Sequence, residues 1–319
     1  MKTFPNTNAR PVRTREPRGP AVSAEEVVFR VPFCPPLDWS SMLAFLLPRA
    51  TPGVEAVEPD CYRRTMSIHG QSGCFDVTCD QTGNALNVRI FAQAPDSASI
   101  VLDRVRHIFD LDADWQKIAV RLRADKLLMP LLAAGPGLRP PGCWDGFELA
   151  VRAILGQQVT VKGATTLAGR LVNSFGKPLV PNAKPTARAP HASAGLTHVF
   201  PTAEVLAEAN VASIGLPRAR AETIRGLARA VSEKQISFNG ITSPDNFCPQ
   251  LCELPGIGQW TAQYIAMRAL RDPDAFPASD LGLLRATGLK TAKQLEARSE
   301  KWRPWRAYAA IYLWKSLAG

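Results

Sequence analysis

The sequence predicts an α+β protein in which an antiparallel sheet module precedes an all-helical domain. Strand-like runs are confined to the first third of the chain, where Leu86, Val88 and Ile90 alternate with polar residues as in a half-buried strand. After Asp110 the strand signals stop, and apolar residues recur at helical spacing through the rest of the chain. A length of 319 residues also suggests two domains.

The N-terminal part contains a tail and the sheet module. Residues 1–24 are rich in Pro and Arg without periodicity, so we interpret them as a disordered basic tail. The sheet module is assigned to 25–111 and begins with a strand at 27–31 and a helix over 39–47, capped by Asp38. Further strands are predicted at 62–68, 74–78 and 86–91, and a helix over 97–109 closes the module.

The helical domain is assigned to 112–319 and is expected to form two lobes. Its first helical stretch covers 112–133. Asp145 and Glu148 have the spacing of a capping box, which predicts one long helix through Leu155 to Val172. Residues 176–197, rich in Pro, Ala and Ser, predict an exposed, partly disordered insertion. The remaining predicted helices cover 201–209, 217–232, 245–253, 259–270, 281–287, 291–299 and 304–317.

Composition narrows the class of partner. The net charge is +10, and eight basic residues stand against two acidic ones between positions 285 and 315, which favours a polyanion such as nucleic acid. The seven cysteines form no Cys-x-x-Cys pair, which argues against a disulfide framework or a closed zinc site. No apolar run approaches about 18 residues, so we expect no membrane span and a cytoplasmic location.

The most informative stretch is the glycine hairpin, residues 251–262. An apolar-periodic segment stops at Pro255, turns over Gly256, Ile257 and Gly258, and restarts as a helix at Gln259. The two glycines allow a tight turn with exposed amides, because neither carries a Cβ. The unpaired N–H groups of a helix start attract an anion. The stretch therefore predicts a hairpin that holds a phosphate.

Several motifs resemble those of a known family. The hairpin Leu-Pro-Gly-Ile-Gly-Gln-Trp-Thr-Ala at 254–262, followed by Asp280, resembles the helix-hairpin-helix/Gly-Pro-Asp superfamily of DNA glycosylases. Four further stretches, at 35–43, 151–157, 215–222 and 302–309, resemble the 3-methyladenine DNA glycosylase II (AlkA) type. The resemblance covers roughly residues 27–317, apart from the insertion. It implies a TATA-binding-protein-like sheet followed by a two-lobed helix-hairpin-helix glycosylase domain.

The resemblance implies a role for Asp280. From the residues alone, Asp280 is a helix N-cap before Leu281, since Asp is a favoured cap. The superfamily carries its catalytic carboxylate at this position. Cleavage of an N-glycosidic bond develops positive charge on C1′ and O4′ of the sugar, which a fixed carboxylate in a dry pocket stabilises. Asp280 is therefore the predicted catalytic residue.

Trp260 separates two kinds of glycosylase. Bifunctional superfamily members carry an imine-forming lysine at this hairpin position, and here an indole replaces it. The clustered cysteines that hold an iron–sulfur cluster in endonuclease-III-like members are also missing. We therefore expect a monofunctional enzyme that excises cationic alkylated purines such as 3-methyladenine by base flipping in base excision repair. The alternatives are a noncatalytic hairpin DNA-binding protein and a bifunctional glycosylase/lyase for oxidised bases.

The resemblance also implies the remaining site residues and partners. No cofactor is required; the expected partner is double-stranded DNA containing alkylated bases, bound by a monomer. The family fills the space of the flipped base with a leucine, and here that position is Gln158, with Val159 as the alternative wedge. The other predicted residues are Trp314, Tyr264 and Trp260 for the base pocket; Gly256, Ile257, Gly258 and Thr261 for DNA; and the carbonyls of Cys252, Leu254 and Gly256 for a monovalent cation.

Overall fold

The computed structural model describes residues 27–91, 97–179, 195–238 and 244–317. The predicted basic tail and most of the predicted insertion lie outside these residues. Within the described ranges, none of the helices has both the length and the apolar character needed to cross a membrane.

The sheet module is built on a five-stranded antiparallel sheet in the order β1-β5-β4-β3-β2. Val77 of β4 lies opposite Val88 of β5, and both side chains are fully buried. Helix α1 is capped by Asp38, whose carboxylate accepts from the Ser41 N–H. The predicted strands are confirmed, and the sequence missed the short strand β2. The strands are β1 Val27–Pro32, β2 Glu55–Val57, β3 Cys61–Ile68, β4 Gln71–Asp80 and β5 Ala85–Phe91.

Thirteen helices follow the chain through the described residues. The first two belong to the sheet module and the rest to the helical domain, so the predicted α+β architecture is confirmed. They are α1 Trp39–Leu46, α2 Ser97–Phe109, α3 Trp115–Leu122, α4 Leu128–Ala134, α5 Gly146–Leu155, α6 Val161–Phe175, α7 Ala203–Glu208, α8 Arg218–Ser232, α9 Pro244–Cys252, α10 Gln259–Ala269, α11 Leu281–Thr287, α12 Ala292–Ser299 and α13 Arg306–Lys315. Short 3-10 helices cover Leu47–Arg49, Val211–Ile214 and Glu300–Trp302.

The prediction of one long helix through Leu155 to Val172 is wrong. Helix α5 ends at Leu155, where Gly156 is its C-cap, and Gln158 adopts a left-handed φ of 56°. Thr160 then caps α6, because its hydroxyl accepts from the Gly163 N–H at 3.1 Å. Local capping chemistry thus creates an exposed turn over residues 156–160. The stretch 112–133 is likewise divided into α3 and α4.

The described ends of the predicted insertion are regular. Lys177–Pro178 and His198–Val199 pair as a two-stranded antiparallel sheet, β6 and β7. The N–H groups of Thr197 and His198 both donate to the carbonyl of Gly53 in the sheet module. The residues at the two ends of the predicted insertion are thus attached to the sheet module, and the insertion itself stays a prediction because most of it lies outside the described residues.

The two parts of the molecule share one continuous hydrophobic core and a buried ion cluster. Arg64 of β3 donates to Glu148 of α5 at 2.8 Å, and Arg152 of α5 donates to Glu55 of β2 at 2.8 Å. The Tyr62 hydroxyl also donates to Glu55 at 2.7 Å. These four charged residues, the interface ion cluster, fix helix α5 against the sheet. The division of the chain at 111/112 remains a prediction.

Candidate active site

A cavity of about 390 Å³ opens between the sheet module and the helical domain. The helical domain contributes the aromatic residues Trp260, Tyr264 and Trp314, together with Asp280. The sheet module contributes Phe45 and Arg49. The fold therefore brings together the predicted catalytic residue and the three predicted pocket residues, which are spread over 55 positions from 260 to 314.

Asp280 is held from three directions at the start of α11. Its Oδ1 accepts from the Leu283 N–H and from Trp314 Nε1, both at 2.9 Å. Its Oδ2 accepts from Trp260 Nε1 at 2.9 Å. The N-cap interpretation is thus correct and compatible with catalysis, because one carboxylate caps the helix and lines the cavity. No cationic side chain of the described chain pairs with Asp280, so its negative charge is not neutralised by a fixed partner.

The aromatic residues form a continuous wall. Trp260 and Tyr264 stack with ring centroids 5.5 Å apart and an interplanar angle of 6°, as their spacing of four on α10 predicts. Trp314 meets Tyr264 at 6.2 Å with a tilt of 59°. Such faces suit a planar, electron-poor base. Their role in base binding remains a prediction.

The sequence analysis did not identify three arginines that line the cavity: Arg49, Arg152 and Arg268. Burial alone would raise the pKa of the Tyr264 hydroxyl, but Arg268, Arg49 and Arg152 outweigh burial and lower it. Arg152 lies within the motif at 151–157, so that motif carried a signal for it. Arg49 had no local signal, because only the docking of the sheet module brings it to the cavity.

The glycine hairpin joins α9 to α10. Gly256 has φ +88°, and a Cβ at this position would lie 2.1 Å from Thr223 Oγ1, so glycine is required there. Gly258 is the N-cap of α10, and a Cβ there would meet nothing within 4 Å. The first N–H groups of α10 lack intrahelical partners, as at any helix start. This open helix start is the part of the hairpin that fits a phosphate.

Two residues predicted to contact DNA have buried side chains. The Ile257 side chain is 4% exposed and its N–H donates to the Leu254 carbonyl at 3.1 Å, so Ile257 anchors the turn. Thr261 is 3% exposed, and its hydroxyl accepts from Gln157 Nε2 at 3.1 Å, facing away from solvent. Both residues lie in the hairpin as predicted, and their role in DNA binding stays a prediction.

The predicted cation site involves carbonyls that already carry protein hydrogen bonds. The Gly256 carbonyl accepts from Gln157 Nε2 at 2.9 Å, and the Leu254 carbonyl accepts from the Ile257 N–H. A carbonyl oxygen has two lone pairs, so each retains one for a cation. Together with the carbonyl of Cys252 these are the predicted cation ligands, and the cation site stays a prediction. The described residues contain no group of three His, Cys, Asp or Glu side chains that fits a metal ion.

The two candidate wedge residues lie on the exposed turn between α5 and α6. Gln158 is exposed, at the left-handed position of the turn, and is not part of the cavity lining. Val159 is 40% exposed and lines the cavity. Gln157 fixes the turn to the glycine hairpin through its two hydrogen bonds. Gln158 and Val159 therefore face different surroundings, since only Val159 lines the cavity. Gln158 remains the predicted wedge.

Two family models match the chain. Residues 28–145 match the AlkA N-terminal domain, and residues 151–304 match the HhH-GPD superfamily base excision DNA repair protein model. The two matches together cover the sheet module and most of the helical domain, which confirms the resemblance drawn from the motifs.

Two relatives are similar over most of this chain. The "Probable bifunctional transcriptional activator/DNA repair enzyme AlkA" of Mycobacterium tuberculosis is 38% identical over 302 residues, covering 92% of this chain. The chain spans only 58% of that relative's length. DNA-3-methyladenine glycosylase 2 of Escherichia coli is 33% identical over 283 residues, covering 88% of this chain and 94% of the relative.

Solved structures share the fold. A 3-methyladenine DNA-glycosylase from Archaeoglobus fulgidus aligns with a TM-score of 0.75 and 22% identity, covering 90% of this chain and 97% of that one. An 8-oxoguanine glycosylase/lyase from Clostridium acetobutylicum aligns with a TM-score of 0.61 and 17% identity, covering 84% and 98%. At these identities the likeness concerns the fold.

Proposed function

The chain belongs to the HhH-GPD superfamily of base excision DNA repair proteins, with an AlkA-type N-terminal domain, and on this premise we propose that it is a monofunctional DNA glycosylase that excises alkylated purines such as 3-methyladenine from duplex DNA. One observation carries the proposal. An unneutralised carboxylate, that of Asp280, is fixed by two indole N–H groups at the edge of an aromatic cavity.

The reaction begins with a damaged nucleotide turned out of the duplex into the cavity, which costs a few kcal/mol of unstacking. The bond between the base nitrogen and C1′ breaks, and its electron pair leaves with the base. Positive charge develops on C1′ and O4′, and Asp280 stabilises it because the local dielectric is low. A water molecule adds to C1′ and loses a proton, which leaves an abasic site and a free base.

The absence of a suitable amine supports the monofunctional form. A lyase step needs an amine that forms an imine with C1′. No lysine is among the residues that line the cavity in the described part of the chain. Trp260 instead uses its indole to position Asp280. This argues against the bifunctional alternative.

The cavity also argues against a noncatalytic DNA-binding protein. A protein that only binds the phosphate backbone needs the glycine hairpin but no aromatic pocket lined by a half-buried acid. We further propose that the protein acts as a monomer and that it works in the cytoplasm.

One assay separates these functions. Duplex DNA treated with a methylating agent is incubated with the protein, free bases are identified by chromatography, and strand breaks are counted before and after alkali. We expect free alkylpurine and breaks that appear only after alkali. Binding without free base would support the noncatalytic alternative, and breaks without alkali would support the lyase.

A further inference from the structure

The three arginines of the cavity differ in their partners. Arg152 pairs with Glu55 at 2.8 Å. Arg268 donates to the Tyr264 hydroxyl at 2.7 Å and to the Gly142 carbonyl at 3.0 Å, and it also donates to the Pro141 carbonyl. Arg49 has no carboxylate partner anywhere in the described chain. The cavity lining thus contains three guanidinium groups and one carboxylate, that of Asp280.

Arg49 is held in place while most of its donors stay unused. Its Nη1 donates to the Phe45 carbonyl at 2.9 Å, and its guanidinium carbon lies 3.9 Å from the centre of the Phe45 ring. The Arg49 carbonyl accepts from Arg152 of the interface ion cluster, which fixes the backbone. Beyond Phe45 and the Tyr264 hydroxyl, no acceptor in the described structure engages it. A guanidinium has five N–H donors, so several remain for a ligand.

The half-buried environment of Arg49 strengthens the interaction of its unused N–H donors with a ligand. Burial is the largest influence on the pKa of Arg49 and lowers it, and Arg268 and Arg152 lower it further, while Tyr264 opposes them. Arginine remains charged under such conditions. A partly desolvated cation interacts with a nearby charge more strongly than an exposed one does. Arg49 is therefore a positive group that lacks a counter-ion inside a cavity of base-binding size.

We propose that Arg49 contacts the flipped base and stabilises the electron density that the base gains as the N-glycosidic bond breaks. This inference rests on the proposed glycosylase function. In this proposal the Asp280 carboxylate stabilises the positive charge that develops on the sugar, and the Arg49 guanidinium stabilises the negative charge that the leaving base gains. It also gives the sheet module, which supplies Arg49 and Phe45, a part in the reaction.

The change in charge on bond breaking explains why Arg49 would speed the reaction. The electron pair of the bond goes to the base, so a cationic alkylpurine leaves as a neutral molecule, and a neutral purine leaves as an anion that takes a proton from water. In both cases the base becomes more negative by one charge and the sugar more positive by one. Arg49 therefore favours the transition state over the bound substrate, and such an interaction raises the rate of the chemical step.

The effect on binding differs between the two kinds of base. A cationic base such as 7-methylguanine is repelled by Arg49 before the bond breaks, and this repulsion offsets the hydrogen bond that its carbonyl oxygen could accept. A neutral purine with a carbonyl oxygen or ring nitrogen at its edge accepts a hydrogen bond from Arg49 instead. Removing the guanidinium should therefore slow the chemical step for both bases but weaken the binding of the neutral one alone. A purely structural role for Arg49 would not produce this split.

The experiment uses the full chain and two duplexes, one with 7-methylguanine as the cationic base and one with hypoxanthine as the neutral base. Single-turnover rate constants for base release and half-saturating enzyme concentrations are measured for the wild type, Arg49→Met and Arg49→Lys. Arg123→Met, which removes an exposed arginine outside the cavity, controls for the lost charge. Melting temperatures are recorded for all four proteins.

We expect Arg49→Met to lower the rate constant on both duplexes by about 10- to 100-fold, the range for a hydrogen bond to a charged group. The half-saturating concentration should rise for hypoxanthine and stay the same or fall for 7-methylguanine. Arg49→Lys should retain part of the rate, because it keeps the charge. Arg123→Met should leave both rate constants unchanged.

Two results would overturn the inference about Arg49 and leave the proposed function intact. One is an active wild type with rate constants for Arg49→Met within about threefold of its own. The other is an equal loss in Arg49→Met and Arg49→Lys on both duplexes, with half-saturating concentrations moving together, which indicates packing. Should the wild type release no alkylpurine from the methylated DNA of the preceding assay, the proposed function fails as well, so the two failures are distinguishable.

Discussion

The indole Nε1 of Trp260 donates a hydrogen bond to Oδ2 of Asp280 at 2.9 Å, across 20 residues of sequence. The hairpin helix α10 thereby sets the orientation of the carboxylate at the start of α11. Trp314 of α13 holds the other carboxylate oxygen at the same distance. Helices α10, α11 and α13 thus all contribute hydrogen bonds to the Asp280 carboxylate. Trp260 of α10 links the glycine hairpin to this proposed catalytic group.

Asp280→Asn should nearly abolish base release while duplex binding survives. The amide keeps the shape and the N-cap, because Asn caps a helix about as well as Asp, but it carries no negative charge for the developing sugar cation. We expect the single-turnover rate constant to fall by at least about 100-fold. Both carboxylate oxygens of Asp280 accept from N–H groups, so the NH2 group of Asn would face an indole N–H, and the free energy of unfolding should fall by about 1–3 kcal/mol. Base release by chromatography and urea unfolding measure the two effects. Full activity in this variant would remove Asp280 from the mechanism.

Trp260→Phe should slow the reaction without disturbing the aromatic wall. Phenylalanine retains a ring that stacks on Tyr264 but loses the N–H that holds Asp280. Loss of one hydrogen bond to a charged group predicts a fall of about tenfold or more in the rate constant. The half-saturating DNA concentration should stay near the wild-type value. An unchanged rate constant would show that the indole N–H does not position the carboxylate.

The sequence predicted several helices at or near their observed bounds because helix boundaries depend on local residue patterns. Helices α2 and α11 were predicted at their observed bounds, and the stack of Trp260 on Tyr264 followed from their spacing. The strand β2 was missed because three residues that include a buried acid, Glu55, carry no alternation. The burial of Glu55 depends on partners elsewhere in the chain, among them Arg152 and Arg64.

The arginines of the cavity show where sequence reasoning fails. Arg49 lies 231 positions before Asp280, and it reaches the cavity only because the sheet module packs on α5. Burial of Ile257 and Thr261 was hidden for the same reason, since the hairpin motif specifies a turn but not the helices that pack under it. The surroundings of Arg49, Ile257 and Thr261 depend on packing between distant parts of the chain, which a local sequence pattern does not report.

The two glycines of the hairpin should respond differently to alanine. Gly256→Ala places a Cβ against Thr223 Oγ1 and a side chain at φ +88°, which costs about 1–2 kcal/mol for the backbone alone. Gly258→Ala meets no atom within 4 Å, so the free energy of unfolding should change by less than about 1 kcal/mol.

DNA affinity completes the comparison between these two variants. If the open helix start holds a phosphate, Gly258→Ala should weaken duplex binding although the fold is intact. Fluorescence anisotropy with a duplex and thermal unfolding separate the two effects. Wild-type affinity in Gly258→Ala would place the phosphate contact elsewhere, and a wild-type melting temperature in Gly256→Ala would contradict the steric requirement.

Gln158→Ala should slow base flipping more than Val159→Ala does. Gln158 is exposed at the tip of the turn, where it is able to enter the space that the base vacates, while Val159 faces the cavity. A fluorescent base analogue opposite or beside the lesion reports flipping directly. The reverse order would identify Val159 as the wedge, and a loss of melting temperature is not expected in either variant because both side chains are exposed.

Glu55→Gln should destabilise the molecule in a pH-dependent way. Burial alone would raise the pKa of Glu55, but Arg152 and Arg64 outweigh burial and hold it well below its ordinary value of 4.5. A carboxyl group with a lowered folded-state pKa contributes stability that is complete above about pH 4.5 and is lost as the pH falls toward the folded-state value. Near pH 7, breaking this buried pair should cost about 3–5 kcal/mol.

The pH dependence distinguishes the ion pair from simple packing. The difference in unfolding free energy between the wild type and Glu55→Gln should be largest above about pH 4.5 and narrow at lower pH, because Glu55 then begins to lose its charge in the wild type too. Glu222→Gln removes an exposed acid paired with Arg225 and should cost no more than about 1 kcal/mol. Urea unfolding at several pH values measures all three proteins. A difference that stays constant as the pH falls would show that Glu55 stabilises the interface through its shape rather than its charge.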